Sequence, residues 1–293
     1  MQKVLITGID SFTGIHLSSY LIKVGYEVYG TSLLKSSDKK YQCDITKKKD
    51  IVKVLKEIEP DYLIHLSGIS FTAHGNNEDF YKVNTIGTSN ILEAFIELNQ
   101  NPKKIILASS ATVYGNQNLE ILHESLCCKP VNHYGASKYA MECLASDYFD
   151  KLPIIITRPF NYTGIGQAEH FLIPKIVKHF KENKKIIELG NLNVSREFND
   201  VEFVCEVYKR LLESAVKSEV VNISSGKGIK LINVISMMND IAEYNIKVVV
   251  NPIFLRKDEI KELTGSNEKL FSIIEKVEQK EFKNTLENMY KGI

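Results

Sequence analysis

Apolar positions along the chain fall into two alternating rhythms. Lys3 to Thr7 is a short, β-leaning run that stops at Gly8, and Ile15, Leu17, Leu21 and Ile22 then keep helical spacing as far as Gly25. The alternation continues. Glu27 to Thr31, Tyr62 to Leu66, Lys104 to Ser109 and Pro153 to Thr157 predict strands, with helices predicted over Lys47 to Ile58, Asp79 to Leu98 and Tyr134 to Tyr148. A β-α series of this kind predicts an α/β protein built on a doubly wound parallel sheet with right-handed crossovers.

After Arg158 the rhythm loosens. A loop from Pro159 to Gln167 precedes a helix near Phe171 to Glu182, a strand at Ile186 to Leu189, a helix from Val201 to Val216 and a strand at Val220 to Ile223. Helices near Leu231 to Ala242 and Asn284 to Tyr290 and a strand at Lys247 to Val250 follow. The expected division is a Rossmann-type sheet domain, residues 1–158 plus 196–223, and a smaller C-terminal lobe, residues 159–195 plus 224–293. The lobe is expected at the C-terminal edge of the sheet, where open α/β folds bind ligands.

Composition narrows the function classes. The 293 residues are 44% apolar and 25% charged, which excludes a disordered, collagen-like or disulfide-scaffold chain. A formal net charge of +1 gives no basic excess, so neither nucleic acid nor an anionic membrane is an expected partner. No apolar run reaches the roughly 18 residues of a membrane span, and Met1 leads directly into a strand pattern, not a signal-peptide core. The five cysteines, Cys43, Cys127, Cys128, Cys143 and Cys205, show no paired metal spacing, and adjacent Cys127 and Cys128 are poorly placed to bridge each other. A reducing cytoplasm and no metal are expected.

Thr7-Gly8-Ile9-Asp10-Ser11-Phe12-Thr13-Gly14 lies between the first strand and the first helix, where a dinucleotide diphosphate would meet backbone N–H groups and the positive end of a helix. Gly8 permits the tight turn and Gly14 close helix-strand packing. Ser11 replaces the middle glycine, and its Cβ is expected to obstruct the phosphate slightly. An NAD site would carry Asp or Glu at the end of the second strand to hold the ribose 2′-hydroxyl. Here the segment reads Thr31-Ser32-Leu33-Leu34-Lys35, so NADP(H) is the expected cofactor, with NAD(H) left open.

Tyr134-Gly135-Ala136-Ser137-Lys138 places Tyr134 and Lys138 at i and i+4 on one helix face. A nearby ammonium is expected to lower the tyrosine pKa from about 10, making a tunable proton donor. Ser110, expected after the fourth parallel strand, could hydrogen-bond a substrate carbonyl or hydroxyl. Each feature alone has a plain structural reading; their order along one chain is what points to a site.

That ordered set resembles the extended short-chain dehydrogenase/reductases, the nucleotide-sugar epimerase/dehydratase/reductase family, over nearly the whole chain. Family members read TGxxGFxG, HLAA, NxxGT, SSxxVYG, YxxSK and RPFN. The counterparts are Thr7 to Gly14, His65 to Gly68, Asn84 to Thr88, Ser109 to Gly115, Tyr134 to Lys138 and Arg158 to Asn161. The departures are Ser11 for glycine and Ser67-Gly68 for two alanines. Within the family the likeness is nearest to reductases of GDP-linked 4-keto-6-deoxy sugars. It rests on Glu27 to Ser32, Arg158 to Gln167, Val194 to Val201, Asn222 to Gly226 and Leu255 through Asn267.

The resemblance implies Ser110, Tyr134 and Lys138 as catalytic residues. It implies a cofactor site from Gly8, Ser11, Phe12, Thr13, Thr31, Ser32, Asp44, Ile45, Leu66, Ser67, Gly68, Asn84, Tyr134 and Lys138. It also implies a nucleotide-diphosphate-sugar site from Ser70, Thr112, Asn161, Gln167, Arg196, Arg256 and Glu259, a homodimer, and a place in deoxysugar synthesis for surface glycans. The typical RDF reads Arg196-Glu197-Phe198, and the tryptophan common near the family C-terminus is absent. Arginine occurs only at Arg158, Arg196, Arg210 and Arg256, and two of these fall in the expected lobe, where a planar fork could grip a diphosphate.

A 4,6-dehydratase would carry Asp-Glu after the active-site hydroxyl residue, and Ala111-Thr112 cannot serve. Reduction of a 4-keto sugar is the expected reaction. A 4-epimerase holding NAD tightly is the alternative, and a non-catalytic NAD(P)-binding regulator is the alternative of another class.

Overall fold

The computed structural model describes residues 1–71, 75–255 and 261–292. Seven parallel strands form the central sheet, in the spatial order Glu219–Ile223, Ile154–Pro159, Lys104–Ala108, Tyr62–His65, Lys3–Thr7, Glu27–Ser32 and Lys40–Gln42. The first strand is flanked by the second and fourth, with Thr7 opposite both Thr31 and His65. The strand order reverses there, and the carboxyl ends of strands at such a reversal are where open α/β sheets bind their ligands. Leu5, Ile6, Leu63, Ile64, Ile105, Ile106, Leu107, Ile154 and Ile155 are all buried. A parallel sheet covered on both faces reads as continuous apolar runs, and each fully buried side chain of this kind contributes about 1.5–3 kcal/mol.

One face is covered by the helices Phe12–Lys23 and Val201–Glu213, joined by Leu270, Ile274 and Val277 from the C-terminal third. The other is covered by Lys48–Ile58, Gly87–Glu97 and His133–Ser146. A separate core lies among the helices Leu172–Lys181, Leu231–Ala242 and Phe282–Lys291. The strand Ile186–Leu189 pairs in parallel with Lys247–Val250, and Ser195–Arg196 lies between Ile229–Lys230 and Glu262–Leu263. No helix among the described residues is long and apolar enough to cross a membrane.

Two expectations change. The edge strand Lys40–Gln42 has no apolar period to announce it, so Ser110 follows the fifth strand along the chain, not the fourth. The helix expected over Asp79 to Leu98 begins at Asn77 and contains a π-helical stretch, Tyr81–Ile86, before resuming at Gly87. That widened turn carries Asn84.

Candidate active site

The glycine turn is held by its own backbone. The N–H groups of Gly8 and Ile9 both donate to the Thr31 carbonyl, at 2.9 and 3.1 Å, and the Ser11 N–H donates to the Gly8 carbonyl at 2.9 Å. Gly8 has φ +71°, and a Cβ there would lie 2.9 Å from the Ser67 nitrogen; at Gly14 it would lie 2.5 Å from the Gly8 oxygen. Ser11 caps the helix, its Oγ accepting from the Gly14 N–H at 3.1 Å. The serine side chain thus folds back on its own helix. The remaining first-turn N–H groups have no intrahelical acceptor, which leaves an anion-binding end at the carboxyl edge of the sheet. Phe12 stacks on Tyr162, and the Thr13 and Tyr162 hydroxyls lie 2.6 Å apart, which docks the loop after Pro159 on this helix.

The second strand ends without a carboxylate of its own, yet the fold brings one beside it from elsewhere in the chain. Asp10, projecting from the glycine turn, stands beside Ser32 and pairs with Lys40 Nζ at 3.2 and 3.4 Å. The Ser32 hydroxyl holds its carboxyl below the usual range against the opposing effect of burial, and Lys40 adds to the lowering. Cys43 N–H donates to the Ser32 carbonyl at 2.8 Å, which brings Asp44 and Ile45 alongside. Asp44 already accepts from the Thr46 N–H and hydroxyl at 3.0 and 2.7 Å, and Ile45 packs where a Cβ on Gly87 would stand.

Ser110 caps a single 3₁₀ turn, Ala111–Tyr114, and Thr112 donates to its Oγ from both the backbone, at 3.2 Å, and the hydroxyl, at 2.9 Å. Tyr134, on the neighbouring helix, stands close enough to Ser110 for the serine hydroxyl to act on its phenol. Burial raises the Tyr134 pKa above 10.0, and Ser110 lowers it only partly. The lowering expected from Lys138 is therefore corrected: enclosure of the ring sets the direction upward. Lys138 Nζ donates to the Ala108 carbonyl at 2.8 Å, and burial brings its pKa down to about 8, with Glu142 one turn away opposing the shift.

Support comes from groups outside the motif residues. Asn84 Nδ2 donates to the Ile69 carbonyl and Ser137 Oγ, both at 3.0 Å, while Oδ1 accepts from the Ile69 N–H at 2.8 Å. This ties the segment containing Leu66, Ser67, Gly68 and exposed Ser70 to the Tyr134 helix. A Cβ on Gly68 would stand 2.9 Å from Asn84 Oδ1 and 3.2 Å from Lys138 Nζ, so glycine keeps that approach open. Glu142 accepts from Arg158 Nη2 at 2.6 Å, from Arg158 Nε at 3.0 Å and from Ser109 Oγ at 2.5 Å, all buried. Its position one helical turn after Lys138 was the only sequence signal for it.

The residues implied for the sugar nucleotide are less gathered. Gln167 is turned into its own loop, Oε1 accepting from the Thr163 hydroxyl at 2.6 Å and Nε2 donating to the Tyr162 carbonyl at 3.2 Å. Asn161 is exposed, and its carbonyl accepts from the Asn199 N–H at 2.8 Å. Arg196 Nη1 donates to the carbonyls of Ser195 and Lys261 at 2.8 and 3.0 Å, so part of its fork is committed to the protein. Beside it Glu197, fully buried, accepts from Ser224 Oγ and Gly265 N, each at 2.6 Å, from Ser225 N and Oγ, and from Asn199 Nδ2. Arg256 and Glu259 lie outside the described residues.

The model of the NAD dependent epimerase/dehydratase family matches residues 4–224. The chain is 35% identical over 275 residues to the GDP-6-deoxy-D-talose 4-dehydrogenase of Aggregatibacter actinomycetemcomitans, covering 93% of this chain and 91% of the relative. It is 29% identical over 280 residues to the GDP-6-deoxy-D-mannose reductase of Pseudomonas aeruginosa, covering 92% and 90%. Among solved structures it is similar to RMD from Pseudomonas aeruginosa complexed with NADPH, with a TM-score of 0.88, 26% identity and coverage of 99% and 98% of the two chains.

Proposed function

The chain belongs to the NAD dependent epimerase/dehydratase family, and from that premise we propose that it reduces the C4 ketone of a GDP-linked 4-keto-6-deoxy sugar. The observation that carries this reading is the placing of Tyr134 close to Ser110 at the carboxyl edge of the sheet, with the Lys138 amine, one helical turn on from Tyr134, held on the Ala108 carbonyl at 2.8 Å. The glycine cradle fits a dinucleotide diphosphate, because a Cβ on Gly8 would close it against Ser67. Gly8, Ser11, Phe12 and Thr13 would hold the diphosphate, Thr31, Ser32, Asp44 and Ile45 the adenosine, and Leu66, Ser67, Gly68 and Asn84 the nicotinamide half. When bound, a reduced nicotinamide supplies hydride.

Tyr134 gives its phenolic proton to the C4 oxygen as negative charge develops there, and Ser110 orients that oxygen through a second hydrogen bond. Burial alone makes the phenol too weak an acid, so the cationic form of Lys138 is needed to stabilise the phenolate left behind. The lobe of residues 159–195 plus 224–293 would hold the nucleotide sugar, with Arg196 near the diphosphate. We further propose a homodimer through the helices 77–97 and 133–146, where Ile86, Ile96, Tyr139 and Leu144 are exposed.

The two relatives concern 6-deoxy-D-talose and 6-deoxy-D-mannose, sugars that differ in configuration at C4. Hydride arriving at opposite faces of one 4-keto sugar gives one or the other. The test is incubation of the purified protein with GDP-4-keto-6-deoxy-mannose and NADPH or NADH, with cofactor consumption followed optically and the C4 configuration read by NMR. Stoichiometric consumption supports the proposal. Conversion of a UDP-hexose to its 4-epimer with no net consumption would replace it with an epimerase, and dinucleotide binding without turnover on either substrate class would favour a regulator.

A further inference from the structure

We propose that Asp10 is the residue that discriminates between a 2′-hydroxyl and a 2′-phosphate on the adenine ribose, with Lys40 as its movable counter-ion. The inference rests on the dinucleotide site proposed above and goes beyond it by assigning the selectivity to a residue of the glycine turn.

The assignment follows from how the turn meets the second strand. Gly8 and Ile9 both donate to the Thr31 carbonyl, so the turn is clamped onto the strand one residue before Ser32. Gly30 makes room for this, since a Cβ there would lie 2.4 Å from Ile9 Cδ1. The next residue of the turn is Asp10, and its carboxylate therefore reaches the strand end, beside Ser32 and within 3.2 Å of Lys40. That is the place where a dinucleotide laid across the helix N-terminus puts its adenine ribose. A strand-end acid would approach the ribose from the strand itself; this one arrives from the turn that also holds the diphosphate.

Both charged groups remain reachable, with the Asp10 and Lys40 side chains 39% and 26% exposed. A ribose 2′-hydroxyl can donate to Asp10 and leave the Asp10–Lys40 pair in place. A 2′-phosphate, carrying close to two negative charges, would stand against the carboxylate and must draw Lys40 away from it. Without the Asp10 charge, Lys40 has no competing partner at this point and becomes a phosphate ligand. The two residues therefore act in opposite directions on one affinity ratio.

Titration of the full-length protein with NADH and with NADPH, followed by nicotinamide fluorescence, measures that ratio directly. In Asp10→Asn the affinity for NADPH relative to NADH should rise about tenfold, the scale of one charged hydrogen bond gained or lost. In Lys40→Met it should move the other way. A rise under threefold in Asp10→Asn, in protein that binds either dinucleotide, overturns the inference and leaves the proposed function standing. Wild-type protein that binds neither dinucleotide overturns both.

Discussion

The Lys138 amine donates to the carbonyl oxygen of Ala108 at 2.8 Å, at the carboxyl end of a central strand. The bond holds a cation in the protein interior, where burial lowers its pKa from 10.5 to about 8. Below pH 8 the native state carries a buried charge that the unfolded chain would hydrate freely, a cost of up to about 3 kcal/mol. Lys138→Met should therefore raise the unfolding free energy at pH 7 by about 1–3 kcal/mol while turnover is lost. Between about pH 8 and 10.5 the unfolded chain binds this proton and the native one does not, so wild-type stability rises and the advantage of the variant shrinks. Urea denaturation of both proteins at pH 7 and pH 10 checks the sign.

Tyr134→Phe removes the proton donor and almost no volume. Single-turnover oxidation of reduced cofactor should slow by about 10²–10⁴, while dinucleotide affinity holds. A rate within a few-fold of wild type would exclude Tyr134 as the acid.

His65 joins three elements through its neutral ring. Thr7 Oγ1 lies 2.6 Å from Nδ1 and accepts from the Ser67 N–H, so its own proton goes to Nδ1; Nε2–H then donates to Thr88 Oγ1 at 2.8 Å, which donates onward to the Asn84 carbonyl. Burial, reinforced by Lys138, lowers its pKa from 6.5 to about 3. The unfolded chain takes up this proton below pH 6.5 and the native protein does not, so stability is lost as pH falls from 6.5 toward 3, at up to about 1.4 kcal/mol per unit. His65→Gln should lower the melting temperature at pH 7 and flatten its decline between pH 6.5 and 4.5. Calorimetric scans across that range read both effects.

Glu197 draws five donors from three segments onto one buried carboxyl group, so Glu197→Gln turns an amide N–H₂ toward groups that also donate. Leaving such donors unmatched costs about 1–3 kcal/mol. Its effect on ligands should be selective: affinity for a GDP-sugar falls, because Arg196 and the 224–226 turn lose their common anchor, while dinucleotide affinity is retained. Titration calorimetry with each ligand separates the two.

The sheet was legible because its strands are buried on both sides and its helices carry one apolar face. Lys40–Gln42 escaped because an edge strand of three mostly polar residues has no pattern to read. The two-residue strands Ser195–Arg196 and Asn199–Asp200 escaped because they have no period at all. Ser110, Tyr134 and Lys138 could be picked out from spacing and order, and the structure brings them together. Asp10 could not be connected to Ser32 that way. Twenty-two positions separate them, and only the register of two parallel strands and the clamp on Thr31 make them neighbours. The direction of the Tyr134 shift was misread for a related reason: spacing reports which groups are close, whereas the sign here was set by how deeply the ring is enclosed.

The serine at the third turn position has a kinetic consequence. Because Ser11 caps the first helix from within, and Gly8, Ile9 and Ser11 spend their N–H groups on protein carbonyls, the cradle keeps its shape through bonds that no ligand has to supply. The reductase proposed above would exchange its dinucleotide every cycle. A departing molecule would then leave a mould already set for its successor, and exchange would require neither ordering nor melting of the turn.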